Sequence, residues 1–363
     1  MKLQVTQENL AKALNSVARV ANTRNTLPVL SNVLLKTTGT RLSISATNLD
    51  IAITHYIGSK VSEEGAITVP ARLMQDFVTS LPNGVIDLDT EDYKMHIHTD
   101  KYESTINGVL AEEFPVMPAI TKGTKWSIPA KTLKSALAQV VFAASGDEAR
   151  PTLTGVYFHT VDGTLFAAAT DSYRLAEKEL IKTKSNTQLL VPANATQDLL
   201  RVISDHEDNV EVTYDEQQVL FKAGDVELVA RLIEGAYPDY RKLIPQKFAI
   251  TAKIKRTDFM NVAKVSSLFA RESAGSVTIQ VDETSNQISI RSVASQLGEN
   301  TATADASAKG SGEITLNSRY LLDALQAINE EEVVFGFNGK LEPSVLKPAT
   351  STDYVHVVMP LKS

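Results

Sequence analysis

Four side chains able to do chemistry stand together in the stretch ATDSYRLA, residues 169–176: Asp171, Ser172, Tyr173 and Arg174. A serine nucleophile needs a base to take its proton and a sharp turn of the G-x-S-x-G type to expose its hydroxyl. The stretch has neither, and a base would have to come from one of only six scattered histidines. His96 and His98 alternate onto one predicted strand face and could in principle hold a metal, but no third ligand is suggested nearby. Cysteine is absent, which removes disulfides, thiolate metal sites and thiol nucleophiles together. Neither a G-x-x-x-x-G-K-[ST] phosphate loop nor a dinucleotide fingerprint occurs. No catalytic residue, metal or cofactor is expected, and a hydrolase centred on Ser172 stays as the weaker alternative.

The elements that must position these residues repeat along the chain. A strand-then-helix pattern opens at Leu3, recurs at Trp126, a step of 123 residues, and returns more loosely from Ala249 to Ala263. A second landmark reads VPARLMQDFV from Val69, VPANATQDLL from Val191 and LNSRYLLDAL from Leu316, with Asp76, Asp198 and Asp323 in the same place. Between them, VLLKTTGTRLSISATN from Val33 matches VYFHTVDGTLFAAATD from Val156, and a weaker copy starts at Val277. The units close alike at Pro118, Pro245 and Pro360. Such a period marks tandem units of one structure. Each unit is itself doubled. The alternation Arg41-Leu-Ser-Ile-Ser reads as half-buried antiparallel strand, and TGT at 38–40 and VDGT at 161–164 read as hairpin turns. The expected fold is α+β: three tandem similar domains, 1–122, 123–246 and 247–363, each of two strand-helix-strand-strand-strand half-units. The small-residue run from Gly298 is read as strand and loop of the third domain. Thr170 and Asp171 fall in register with Thr47 and Asn48, so their short polar side chains serve a turn.

At 363 residues the chain has room for three cores, and 43% hydrophobic with 22% charged residues is a globular composition. No uninterrupted apolar run approaches the roughly 18 residues a membrane span needs, and the N-terminus lacks a signal-peptide pattern. A cytoplasmic protein without a membrane partner is expected. Net charge is −7, from 36 basic and 43 acidic residues, which excludes a uniformly basic nucleic-acid coat. The signs are nonetheless segregated. The predicted helix at 7–21 carries Lys12 and Arg19 against Glu8, and that at 130–144 carries Lys131 and Lys134 with no acid. Lys12 and Arg19, seven residues apart, share the face turned away from Leu10, Leu14 and Val17. Any amphipathic helix carries lysines on its wet side, but their repetition suits helices presented to a polyanion, with sequence-independent phosphate contacts.

Together with TLPVLSNVLL at 26–35, RPTLTGVYF at 150–158, YPDYRKLIP at 237–245 and the terminal VMPLKS, these features make the whole chain resemble the bacterial DNA polymerase III beta subunit family, the sliding clamps. The resemblance implies a DNA clamp fold: a head-to-tail homodimer ring, helices lining its interior and antiparallel sheets outside. It implies a non-catalytic processivity factor whose partners are duplex DNA, held topologically, the DNA polymerase III catalytic subunit, the clamp loader and other proteins with clamp-binding motifs. Their peptides would enter an apolar pocket between domains two and three and the tail. Carried over by position, that pocket comprises Leu153, Thr170, Ser172, Tyr173, Arg174, Leu175, Pro238, Lys242, Leu243, Val357, Met359, Pro360 and Leu361. Arg174 is expected to be open to a partner's backbone or acid. Where Ser172-Tyr173 stands here, the family often has Gly-His. For DNA, the resemblance adds Arg24, in the loop after the first helix, with Arg72 and Arg150, to Lys12, Lys131 and Lys134 from the helix charges. A tandem-domain peptide-binding scaffold that does not act on DNA is the alternative.

Overall fold

The computed structural model describes residues 1–21, 27–204, 206–296 and 298–361. Among them are six α-helices: α1 (Gln7–Val17), α2 (Ala71–Ser80), α3 (Ala130–Val140), α4 (Ala193–Val202), α5 (Arg256–Phe269) and α6 (Ser318–Ala327). Each follows one strand and precedes at least three, so the strand-helix-strand-strand-strand half-unit occurs six times, with the short strands Lys60–Glu63 and Ser307–Lys309 added to the first and fifth. Local chemistry sets the ends of these elements. Thr6 caps α1 by accepting from the Asn9 N–H at 3.4 Å, and Asn317 caps α6 by accepting from the Arg319 N–H at 2.9 Å. Leu10, Ala13, Leu14 and Val17 form the buried stripe of α1, each large side chain contributing about 1.5–3 kcal/mol, while Lys12 and Arg19 stay exposed. The VDGT turn places Asp162 at φ +49° and Gly163 at φ +73° between the paired Val161 and Thr164, the backbone that a two-residue hairpin requires.

All strand pairings are antiparallel, and the first strand of every half-unit crosses to the other half of its repeat. Lys2–Thr6 pairs with Val85–Glu91, and Ala66–Pro70 pairs with Asn32–Thr38. The exchange recurs between Thr124–Pro129 and Asn209–Tyr214, and between Gln188–Pro192 and Gly155–Val161. It occurs a third time between Ile250–Lys255 and Glu332–Phe337, and between Gly312–Asn317 and Ser276–Asp282.

Two sheets run on across the sequence repeats. Val226–Arg231 pairs with Ile51–Gly58 to complete an eight-stranded sheet, and Arg174–Lys182 pairs with Tyr354–Val358 to complete a nine-stranded one. Charged pairs line both seams: Arg41 meets Asp225, Tyr56 donates to Glu227 at 3.2 Å, and Lys178 meets Asp353. Because these sheets are continuous, packing divides the chain into two compact bodies that do not follow the sequence repeats. The first holds Met1–Leu133 and Gln197–Leu232, and the second Lys134–Thr196 and Ile233–Ser363. The core of the first is built on buried Leu14, Ile44, Met74 and Leu228. That of the second includes Phe259 edge-on to Phe335 at 5.7 Å, with Phe337 beyond at 5.5 Å.

The remaining sheets, of five and four strands, end in Glu103–Asn107 and Gly298–Asp305, whose outer edges have no strand partner among the described residues. The run from Gly298 is thus sheet, continued by the short strand Ser307–Lys309. No helix among the described residues is long and apolar enough to cross a membrane.

Candidate peptide-docking site

ATDSYRLA is a turn between two strands, Thr164–Thr170 and Arg174–Lys182. The Thr170 hydroxyl donates to the Arg174 carbonyl and accepts from the Ser172 N–H at 3.1 Å. Asp171 Oδ1 accepts from the N–H groups of Tyr173 and Arg174, both at 2.9 Å. The first repeat makes the same turn nearly bond for bond: Thr47 donates to the Ile51 carbonyl and accepts from the Leu49 N–H, and Asn48 accepts from Asp50 and Ile51. Both turns force their third residue into left-handed backbone, Leu49 at φ +78° and Ser172 at φ +79°. A glycine at either position would be free of the Cβ penalty.

No base is hydrogen-bonded to the Ser172 hydroxyl among the described residues, and the neighbouring Asp171 carboxylate is engaged by Tyr173 and Arg174. The Ser172 Oγ accepts from Arg150 Nη1 at 2.9 Å, and a guanidinium donates and takes no proton. Arg150 is further engaged by Asp147 at 3.0 Å. His96 and His98 stack at 6.4 Å, and no group of three or more His, Asp or Glu able to hold a metal occurs among the described residues.

Arg174 corrects one expectation. Instead of standing open to a partner, its side chain is only 11% exposed. Nε donates to Asp171 at 3.1 Å, Nη1 to Asp323, and Nη2 to the Phe142 carbonyl at 2.6 Å. The guanidinium also lies over the rings of Tyr320 at 4.6 Å and Phe142 at 5.3 Å. It ties the start of its strand to α6 and to the turn after α3, and Asp323, noticed in the sequence only as a recurring position, is its partner.

The predicted pocket residues separate into a buried floor and an exposed rim. Leu153, Thr170, Leu175 and Val357 are buried, and Leu175 lies directly opposite Val357 in the sheet. Tyr173, Pro238, Lys242 and Leu243 are exposed, and Tyr173 and Leu243 are apolar surface at 58% each. Met359, Pro360 and Leu361 are half-buried, held by the Met359 N–H on the Tyr173 carbonyl at 2.8 Å and the Leu361 N–H on the Thr315 carbonyl at 2.9 Å. Lys242 pairs with Asp239 at 2.7 Å.

Sequence reasoning missed what holds the rim in place. Tyr240 is buried below it, donates to Glu177, and meets His159 Nε2 at 2.5 Å; Arg241 Nε also donates to Glu177, at 2.8 Å, while stacking on Phe166. Burial, reinforced by the Arg241 charge, depresses His159 to about 4, and burial with the Glu177 carboxylate pushes the Tyr240 phenol far up. The recurrence of YPDYRKLIP as a unit end was visible, but nothing in one sequence pairs Tyr240 with a residue 63 positions earlier.

The DNA candidates occupy several settings. Arg72 and Arg19 line one crevice of about 370 Å³, with Ser31, Asn48 and Gln75, where α1 ends and α2 begins. Two guanidiniums among amide and hydroxyl groups make chemistry suited to a phosphate oxygen. Lys12 and Lys131 are exposed and Lys134 is half-buried. Arg150 lies at the docking turn, and Arg24 falls outside the described residues.

Models of the DNA polymerase III beta subunit match the chain in three segments: the N-terminal domain at 1–118, the central domain at 127–239 and the C-terminal domain at 241–362. The chain is 29% identical to a beta sliding clamp of Staphylococcus aureus and 28% to that of Staphylococcus epidermidis, each over 376 residues; the former match covers all of both chains. Among solved structures, it is similar to a sliding clamp from Pseudomonas aeruginosa bound to griselimycin, with a TM-score of 0.95, 27% identity and full coverage of both chains. A DNA polymerase sliding clamp from Bacillus subtilis gives a TM-score of 0.95 at 27% identity, covering 100% of this chain and 99% of the other.

Two predictions follow from the site's geometry. Ser172→Gly relieves a left-handed residue worth roughly 1–3 kcal/mol, less the 0.5–1 kcal/mol of added chain entropy, so denaturant unfolding should show a gain of about 1 kcal/mol. His159 protonates near 6.5 when unfolded but only near 4 when folded, so between those pH values the unfolded chain binds more protons and stability falls as pH falls. His159→Gln should flatten that decline in unfolding midpoints measured across pH 4 to 6.5, relative to the unmodified chain.

Proposed function

The chain belongs to the DNA polymerase III beta subunit family, and from that membership we propose that two copies close head to tail into a ring around duplex DNA. It is a non-catalytic processivity clamp: it tethers the replicative polymerase to DNA. We take 1–122, 123–246 and 247–363 as its three clamp domains and place it in the cytoplasm.

The sheet topology carries the proposal. The last strand of the second repeat pairs with the strand before the first repeat's midpoint, Val226–Arg231 on Ile51–Gly58. The last strand of the third repeat pairs likewise with the second, Tyr354–Val358 on Arg174–Lys182. One such pair is left over: Glu103–Asn107, the last long strand of the first repeat, and Gly298–Asp305, the third after the opening of the third. Two open edges of matching kind on one chain form a heterologous interface, and two copies joined by it twice make a closed assembly.

Helix faces bearing Lys12, Arg19, Arg72, Lys131 and Lys134 would meet the phosphates, with Arg24 and Arg150 as further candidates. Such contacts are weakened by salt and indifferent to sequence, which permits sliding. Partner peptides from the polymerase, the clamp loader and other clamp-binding proteins would place apolar side chains over Leu153, Leu175 and Val357, between Tyr173, Pro238, Leu243 and the tail at Met359–Leu361. The peptide scaffold without DNA is not favoured, because clamp models account for nearly the whole chain.

Loaded onto a closed circle, the protein should be retained through gel filtration at moderate salt and lost when the circle is cut once. Equal retention on both forms would exclude topological binding. Deleting residues 359–363 should abolish polymerase-peptide binding while light scattering still shows a dimer.

A further inference from the structure

The sheet that floors the docking pocket does not end there. Along one face of it, Thr170, Ala168 and Phe166 lie on one strand, with Leu175, Glu177 and Glu179 opposite them on the next. Val357 and Val355 follow on the third strand, opposite Leu175 and Glu177, and Val345 on the fourth, opposite Val357. The pocket floor occupies the Thr170, Leu175 and Val357 end. The other end opens into a crevice of about 380 Å³, walled by Phe166, Phe248, Val345 and Val355 and edged by Arg241 and Lys347. The two ends share one apolar cluster, since buried Leu175, Tyr240, Val345 and Val357 pack with Ile244, Phe248 and Val355. The turn Tyr240–Leu243 stands between them, giving Lys242 and Leu243 to the pocket rim and Arg241 to the crevice.

Four charged side chains line the crevice, Glu177, Glu179, Arg241 and Lys347, and the first three have ion-pair partners. Glu177 is satisfied by Tyr240 and Arg241, and Glu179 lies 3.6 Å from Lys182. Lys347, half-buried on the crevice wall, has no hydrogen-bond or ion-pair partner among the described residues. An occupant therefore gains by bringing a carboxylate to Lys347 and an apolar group to Phe166 and Phe248.

We propose that this crevice is a second subsite for the partner polypeptide proposed to bind in the pocket, and that it takes an acidic residue flanked by an aromatic one. Leu175 and Glu179 are four strand residues apart, about 13 Å, so an extended peptide reaches the crevice roughly four residues from its apolar anchor. The inference rests on the pocket reading above and adds a charge and a spacing to it.

Calorimetry with three synthetic peptides tests it: an apolar anchor alone, and the anchor carrying an Asp-Phe pair four residues away on its N-terminal or its C-terminal side. One extended peptide should bind the full-length protein about tenfold more tightly than the anchor, with the gain shrinking in high salt. Lys347→Glu should remove that gain and leave the anchor's affinity unchanged. If neither extension helps, or if the gain survives Lys347→Glu, the subsite is wrong while the pocket stands. If the anchor itself fails to bind, both readings fall.

Discussion

Backbone pairing across the sequence repeats is the interaction on which the rest depends. Where Leu175 lies opposite Val357, the second and third repeats become one sheet, and the apolar floor of the docking site comes into being. Ladder hydrogen bonds specify register without specifying side chains. The same joint can therefore be used at Ala230 opposite Ile51, where the surrounding residues are different and serve another purpose. Arg174 then secures the joint from the side, because a guanidinium with two carboxylates, one carbonyl and two ring faces leaves little freedom to the strand it starts.

Much of this was legible beforehand, for a physical reason. The step of 123 residues preserved patterns that each rest on a local rule: apolar spacing of three and four on a helix, Gly at a two-residue hairpin. The turn shared by Thr47-Asn48 and Thr170-Asp171 was readable because its bonds span at most four residues. What stayed hidden was non-local. That Lys2–Thr6 would join Val85–Glu91 of the other half-unit is invisible to periodicity, which reports faces and never partners. Arg174 looked available because Asp323 is 149 residues away, and Glu177 gave no signal because Tyr240 and Arg241 reach it only after folding.

The two bodies also use their charges in contrasting ways. Around α1 and α2, Lys12, Arg19 and Arg72 remain on the surface, where water and ions keep each contact weak and replaceable. Around the docking turn, charge is taken out of water and paired, as in Arg174 with Asp171 and Arg241 with Glu177. The first arrangement suits a polymer that must slip past, and the second a surface whose shape must hold.

The position of Tyr354–Val358 in the chain carries one more consequence. This strand supplies Val357 to the floor, and the residues just after it supply Met359 and Leu361 to the rim, so the site is completed by a segment made long after Arg174–Lys182. A nascent chain stopped before Tyr354 would already contain the first body and most of the second, yet would leave Arg174–Lys182 with an open edge and nothing to dock on. Competence to recruit partners thus waits on Tyr354–Val358, and products truncated before it are excluded from competing for them.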